Sequence, residues 1–162
     1  SLNENDIGDF KTFLKLSPPL RLEDDRTSLV NGIKSGLIDV IVSDHTPEDE
    51  EGKRLPFAQA ATGAIGIETL LPLALEMYHN DSLELTKIIE TLTINPAKIL
   101  KINKGSLTRG SDADICVFDL DKPWVVNGDE LKSKSKNTAI EGRKLQGKVL
   151  MTFLNGVLMF KS

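Results

Sequence analysis

Apolar and polar positions change rhythm along the chain, and each rhythm predicts a different kind of element. Residues 12–16 (TFLKL) have strand-like content and are stopped by Pro18-Pro19, since neither proline offers an N–H to a ladder. From Leu22 onward, acids gather in a first turn and Leu29, Val30 and Ile33 follow at helical spacing, which predicts a helix ended by Gly36. Residues 38–42 (IDVIV) are apolar apart from Asp39 and do not alternate, the pattern of a strand buried on both faces of a parallel sheet. A polar loop over 44–62 then leads into a helix predicted over 63–78. Its apolar face carries Ile65, Leu70, Leu73, Leu75 and Met77, and Pro72 marks a kink or a boundary. Asp81 or Ser82 is suited to cap a helix over 83–92, and Asn95-Pro96 opens a short helix through Leu100.

After Lys101 the rhythm shortens. Glycines punctuate β-rich runs, DICVFDL, PWVV, KVLMTFL and VLMFK, and Asn155-Gly156 between two apolar runs is a strong hairpin signal. The chain therefore divides into an α/β segment over 1–101 and a small antiparallel β unit over 102–162. Cys116, within the apolar run ICVF, reads as a small buried core residue.

Composition narrows the function classes. The chain has 162 residues, 40% of them hydrophobic, and a formal charge of -4, so no basic excess exists to neutralise nucleic-acid phosphates or an anionic membrane. A single cysteine excludes an internal disulfide and fits a reducing compartment. No run approaches the ~18 apolar residues of a membrane span and no signal peptide opens the chain, so a soluble, cytoplasmic protein is expected. The polar opening SLNENDIGDF, without an initiator Met, has two readings: a trimmed terminus, or a start in the middle of something larger.

The chemistry-bearing stretch is SDHTPEDE. Asp44 and His45 follow directly on the apolar run, and the carboxyl ends of strands are where barrels and open α/β sheets build their sites. The bland alternative is that Asp44 caps a turn and His45 is a satisfied polar residue. No HExxH, CxxC, Walker or GxSxG pattern is present, and two histidines with one cysteine give few zinc ligands.

Taken in order, KLSPPLR, SDHTPEDEEGKRLPF, GAIGIETLLPLAL, NPAKIL, GSLTRGSDADICVFDLD and SKSKNTAIEGRKLQGKV resemble the C-terminal part of a dihydroorotase of the long-chain bacterial type, within the amidohydrolase superfamily. The stretch 105–115 is shared widely in that superfamily, whereas PPLR with SDHTP and SKSKNT favours dihydroorotase. The resemblance implies an α/β fold: the C-terminal part of a (β/α)8 TIM-like barrel, followed by part of a small β-sandwich. It implies reversible hydrolysis of L-dihydroorotate to N-carbamoyl-L-aspartate at a pair of zinc ions. Asp44 would be a zinc ligand and the catalytic proton acceptor, and the other ligands would lie upstream, in a missing N-terminal part. Ser17 stands before PPLR, and Thr62 and Gly63 stand where the loop offers backbone groups to substrate. There are departures. Ser17 replaces a common asparagine, Glu48 replaces a substrate-side histidine, and Ala61-Thr62-Gly63 aligns with a common Pro-Phe-Gly. Glu48 therefore reads either as a substrate contact or as part of the solvated acidic run continued by residues 49–51.

The resemblance further implies a small-molecule substrate, a homo-oligomer, and an association with aspartate transcarbamoylase. Alternatives remain: a hydantoinase or allantoinase, a non-catalytic dihydroorotase-like subunit partnering aspartate transcarbamoylase, or an independent metal-free α/β domain. His79 reads as a helix-end residue, Trp124 as a packing aromatic, and residues 133–136 (SKSK) as a solvated basic loop. Arg21 reads as a local partner for Glu23 or Asp24, the alternative being a contact to a substrate carboxylate.

Overall fold

Asn155 and Gly156 take φ angles of 50° and 78°, the positive pair that a two-residue hairpin needs to match the twist of its strands. They connect β2 (Lys144–Leu154) to β3 (Val157–Lys161), and β2 also pairs antiparallel with β1 (Ile115–Val125), giving a sheet in the order β1-β2-β3. The runs DICVFDL and PWVV are one strand. The register shifts between Asp119 and Pro123, so the proline sits at an irregularity where its missing N–H costs no ladder bond. Cys116 faces outward and is exposed, a correction to its expected burial. It alternates with the half-buried Ile115 and Val117, and nothing in the chain covers its side of the strand.

The computed structural model describes residues 1–162. Before the sheet it is helical: α1 (Glu23–Ser35), α2 (Glu50–Arg54), α3 (Leu70–His79), α4 (Leu85–Leu92) and α5 (Ile94–Leu100), with 3-10 turns at Glu4–Ile7, Thr12–Leu14 and, later, Gly128–Glu130. Gly36 ends α1 as expected, in the left-handed conformation, its N–H donating to Gly32 and Ile33 carbonyls. Glu23 pairs with Arg26 rather than with Arg21. Helix α3 starts at Leu70, later than the pattern predicts, because Ile65 is drawn into a parallel bridge with Thr138. Pro72 therefore falls in the first turn, where an N–H has no helical partner to lose, and no kink is required. Asn95 lies inside α5, and its side-chain amide donates to the Asp39 carbonyl at 2.9 Å instead of capping the helix.

Neither expected strand of the first hundred residues forms a ladder. Residues 12–14 wind into a 3-10 turn, and 38–42 run extended with Ile41 N–H donating to Thr91 O at 3.2 Å. A strand needs at least one laddered neighbour, a parallel one brought by a crossover, and this chain brings none alongside.

Two apolar clusters hold the molecule together. Ile33, Ala74, Leu83 and Ile88 join α1, α3 and α4. Ile65, Val126, Leu131, Ile140 and Leu145, with Leu73 and Trp124 packed against them, join the 63–69 connection to the β unit. Trp124 is indeed a packing residue, and its indole N–H donates to Gly147 O at 3.0 Å. Because α3 contributes Leu73 to one cluster and Ala74 to the other, the helical and β segments share their packing. No helix is long and apolar enough to cross a membrane.

Candidate active site

The extended segment 38–42 ends at Ser43, and the chain turns at Asp44, whose φ of 42° lies in the left-handed region that aspartate tolerates better than most residues. The Asp44 carbonyl accepts from Thr46 Oγ1 at 3.0 Å, while its exposed carboxylate has no hydrogen-bond or ion-pair partner in the chain. Asp44 thus caps nothing. His45 behaves differently. Its Nδ1 accepts the Gly66 N–H at 3.1 Å, which puts the proton of the neutral ring on Nε2 and makes the residue a tie between two loops.

That tie is one of several. Thr46 N–H donates to Ala64 O at 2.9 Å, and Gly63 sits so close to Thr46 that a Cβ there would lie 2.8 Å from Thr46 Cγ2. At Gly66 a Cβ would lie 2.8 Å from the Ser43 carbonyl. Gly63, with φ 141°, also needs a backbone that side-chain-bearing residues rarely adopt. The glycines therefore let the turn after the extended segment run against residues 63–66 at backbone contact.

Between these loops lies a cavity of about 350 Å3 whose lining includes Ser17, Asp44, Thr62 and Gly63. Residues distant in sequence are brought together there. Thr62 is the open member of its loop. Ala61 N–H donates to Gly52 O and Gly63 N–H to Lys15 O, both at 3.0 Å, whereas the N–H and C=O of Thr62 are unpaired. Glu48 does not join this group. It lines a neighbouring charged crevice of about 500 Å3 with Lys53, Asp129, Lys134 and Asn137, and its N–H donates to Asn137 Oδ1 at 3.3 Å.

Three residues that frame the cavity carry no signal in the sequence pattern. Lys15 Nζ donates to the carbonyls of Ala58 at 3.0 Å and Ala60 at 2.8 Å. Lys53, only 1% exposed, donates to Thr12 O at 3.0 Å, Lys15 O at 3.4 Å and Ala61 O at 2.9 Å. Burial pushes the Lys53 ammonium pKa down; the charge of Glu48 pulls it up, and that of Lys15 lowers it further. Asn137, 3% exposed, donates from Nδ2 to Gly63 O at 3.2 Å. Lysine and asparagine in a polar run are ordinarily solvated, so only the fold reveals these roles. The basic loop itself is only partly free: Glu68 accepts from Lys132 N–H at 2.9 Å and Ser133 N–H at 3.0 Å, and Lys136 Nζ donates to Leu131 O at 2.8 Å.

No three His, Cys, Asp or Glu side chains come together in the chain in a way that could hold an ion. Asp44 supplies the one carboxylate in the lining of the Ser17–Thr62 cavity, and Nδ1 of the adjacent His45 is engaged by the backbone. The chain can supply one ligand to a metal, not a complete site.

Comparison with known proteins agrees with this partial character. Residues 11–159 match the profile of the amidohydrolase family. The chain is 44% identical over 162 residues to a dihydroorotase of Ehrlichia chaffeensis, covering all of this chain and 36% of that protein. It is 43% identical over 147 residues to a dihydroorotase of Aquifex aeolicus, covering 91% of this chain and 35% of the relative. Among solved structures, an L-hydantoinase (dihydropyrimidinase) from Arthrobacter aurescens superposes with a TM-score of 0.93 at 30% identity, over 99% of this chain and 37% of that one. The superposition bears out the α/β fold class, part of a TIM-like barrel followed by part of a β-sandwich. The chain spans about 36% of the length of the curated relatives it matches. With the profile running through the Asp44 turn and on to β3, the chain belongs to the amidohydrolase family.

Proposed function

We propose that this chain is part of a zinc-dependent dihydroorotase that reversibly hydrolyses L-dihydroorotate to N-carbamoyl-L-aspartate. The observation that carries the reading is the convergence of Ser17, Asp44, Thr62 and Gly63 on one cavity in which the Asp44 carboxylate is free. Asp44 serves as one ligand of the metal pair; the remaining ligands come from outside these residues. Bound zinc supplies a water acidified towards pKa ~7. The Asp44 carboxylate takes the proton of the attacking water and delivers it to the ring nitrogen as the carbonyl carbon–nitrogen bond breaks. Water oxygen ends in the new carboxylate, one water proton passes through Asp44 to the ring-opened nitrogen, and the other, lost when the water is acidified, goes to solvent. Ser17 Oγ and the N–H and C=O of Thr62 hold the ring, whose own donors and acceptors they complement, and Gly63 keeps that loop against the Asp44 turn.

The same proposal divides the chain into a barrel segment, 1–101, and a sandwich segment, 102–162. It includes a homo-oligomer and association with aspartate transcarbamoylase. The superposition on an L-hydantoinase favours one rival, ring-opening of a different cyclic amide by the same site. Both are tested in the full-length protein. Dihydroorotate should be turned over well above hydantoin, and Asp44→Asn should lower kcat by roughly 100-fold or more, because an amide cannot accept the proton. Near-normal turnover in Asp44→Asn overturns the assignment, and preference for hydantoin transfers it to the rival.

A further inference from the structure

The loop that presents Thr62 makes an internal turn, Gln59 and Ala60 N–H donating to Pro56 O, and its later carbonyls are held from outside. Its carbonyls at Ala58 and Ala60 are taken by Lys15, that of Ala61 by Lys53, and that of Gly63 by Asn137. Lys15 reaches across from within the segment that leads to Ser17, whereas Lys53 reaches both walls of the cavity from a third element, α2. Two of its donors go to Thr12 O and Lys15 O, in the segment that leads to Ser17, and the third goes to Ala61 O, next to Thr62.

The chemistry of that contact is unusual. A lysine ammonium is one of the groups least often buried completely, yet Lys53 is covered and no carboxylate lies within ion-pair distance of it. Its three donors are satisfied by three main-chain carbonyls, the full complement an ammonium can use. Glu48 is the acid sharing its crevice whose charge acts on it most, and Glu48 lies outside the cavity that gathers Ser17, Asp44 and Thr62.

We propose that Lys53 is a positioning residue that fixes Ser17 and Thr62 relative to each other, with Glu48 as its counter-charge rather than a substrate contact. This rests on reading the Ser17–Thr62 cavity as the substrate site. The clamp holds the binding walls, while the Asp44 turn is tied separately through His45 and Thr46. Loosening it should therefore act on substrate binding more than on the chemical step.

The test uses the full-length protein with Lys53→Met, Lys53→Arg and Glu48→Gln, read by steady-state kinetics and by amide hydrogen exchange over residues 56–63. Lys53→Met should raise KM by about tenfold, change kcat much less, and speed exchange in that loop, because small misplacements of binding groups are costly. Lys53→Arg, which keeps the charge and its donors, should recover part of both effects. Glu48→Gln should speed exchange in the same loop, whereas a direct substrate contact would move KM and leave exchange unchanged. If Lys53→Met does not accumulate folded, Lys53→Gln, with only two donors, carries the same readout. Unchanged KM and unchanged exchange in the lysine variants overturn the proposal. If the wild-type protein does not turn over dihydroorotate, the catalytic reading fails, and the exchange measurement still judges the clamp.

Discussion

Residues 38–42 (IDVIV) and 149–153 (VLMTF) are both β-prone runs, yet they meet opposite fates. The second is laddered on both sides: Val149 pairs with Phe118, Met151 with both Val117 and Lys161, and Thr152 with both Cys116 and Phe160. The first makes one backbone bond to α1, one to α4 and one to the Asn95 side chain, none of them to a strand, and Val42 is left 72% exposed. Intrinsic preference does not separate them. Partners do: β2 finds both neighbours within forty residues of chain, one through a two-residue turn, whereas a parallel strand requires neighbours brought by long crossovers. A strand is a property of a pair, and the segment that ends at Asp44 has no ladder partner in this chain.

The contrast can be broken by substitution. Leu145→Ala, at a position 2% exposed in the β-side cluster, should cost about 2–5 kcal/mol in chemical denaturation, the range for emptying a packed site. Gly156→Ala should cost about 1–2 kcal/mol, because its φ of 78° disfavours a Cβ; an unchanged midpoint would mean that the hairpin does not set the register. Val42→Ala is the smallest, within about 0.5 kcal/mol in the 162-residue chain, since its side chain touches little. The same Val42→Ala in full-length protein should cost about 1.5 kcal/mol, as two buried methylene equivalents are removed. Equal costs in the two contexts would refute the idea that the partners of residues 38–42 lie elsewhere.

Much of the fold was legible where local signals suffice. The Gly36 stop, the Asn155-Gly156 turn and the apolar face of α3 follow from rules that act within a few residues. Errors arose where distant contacts prevail: Ile65 is claimed by Thr138 rather than by α3, and Asn95 bonds Asp39 rather than capping α5. Cys116 was misjudged because alternation tells which residues share a face, not whether anything covers it. In the candidate site, motif resemblance brought Ser17, Asp44, Thr62 and Gly63 forward, and the fold gathers them. Glu48 alone falls outside. Lys53 stayed hidden because a lysine inside EDEEGKR has every mark of a solvated residue until the carbonyls it serves are in view.

The pins on the 56–63 loop grip carbonyl oxygens, and every amino acid carries one. The shape of the loop is consequently indifferent to the exposed side chains at residues 58, 59 and 62, so long as Lys15, Lys53 and Asn137 persist, whereas the buried Ala60 has no such freedom. Mutation can redecorate the pocket wall while its outline is conserved from elsewhere, which makes this stretch a place where ligand preference can drift without the scaffold being rebuilt. Thr62 in place of phenylalanine is a substitution of that kind, whereas a proline at 61 would forfeit the Ala61 N–H bond to Gly52 O.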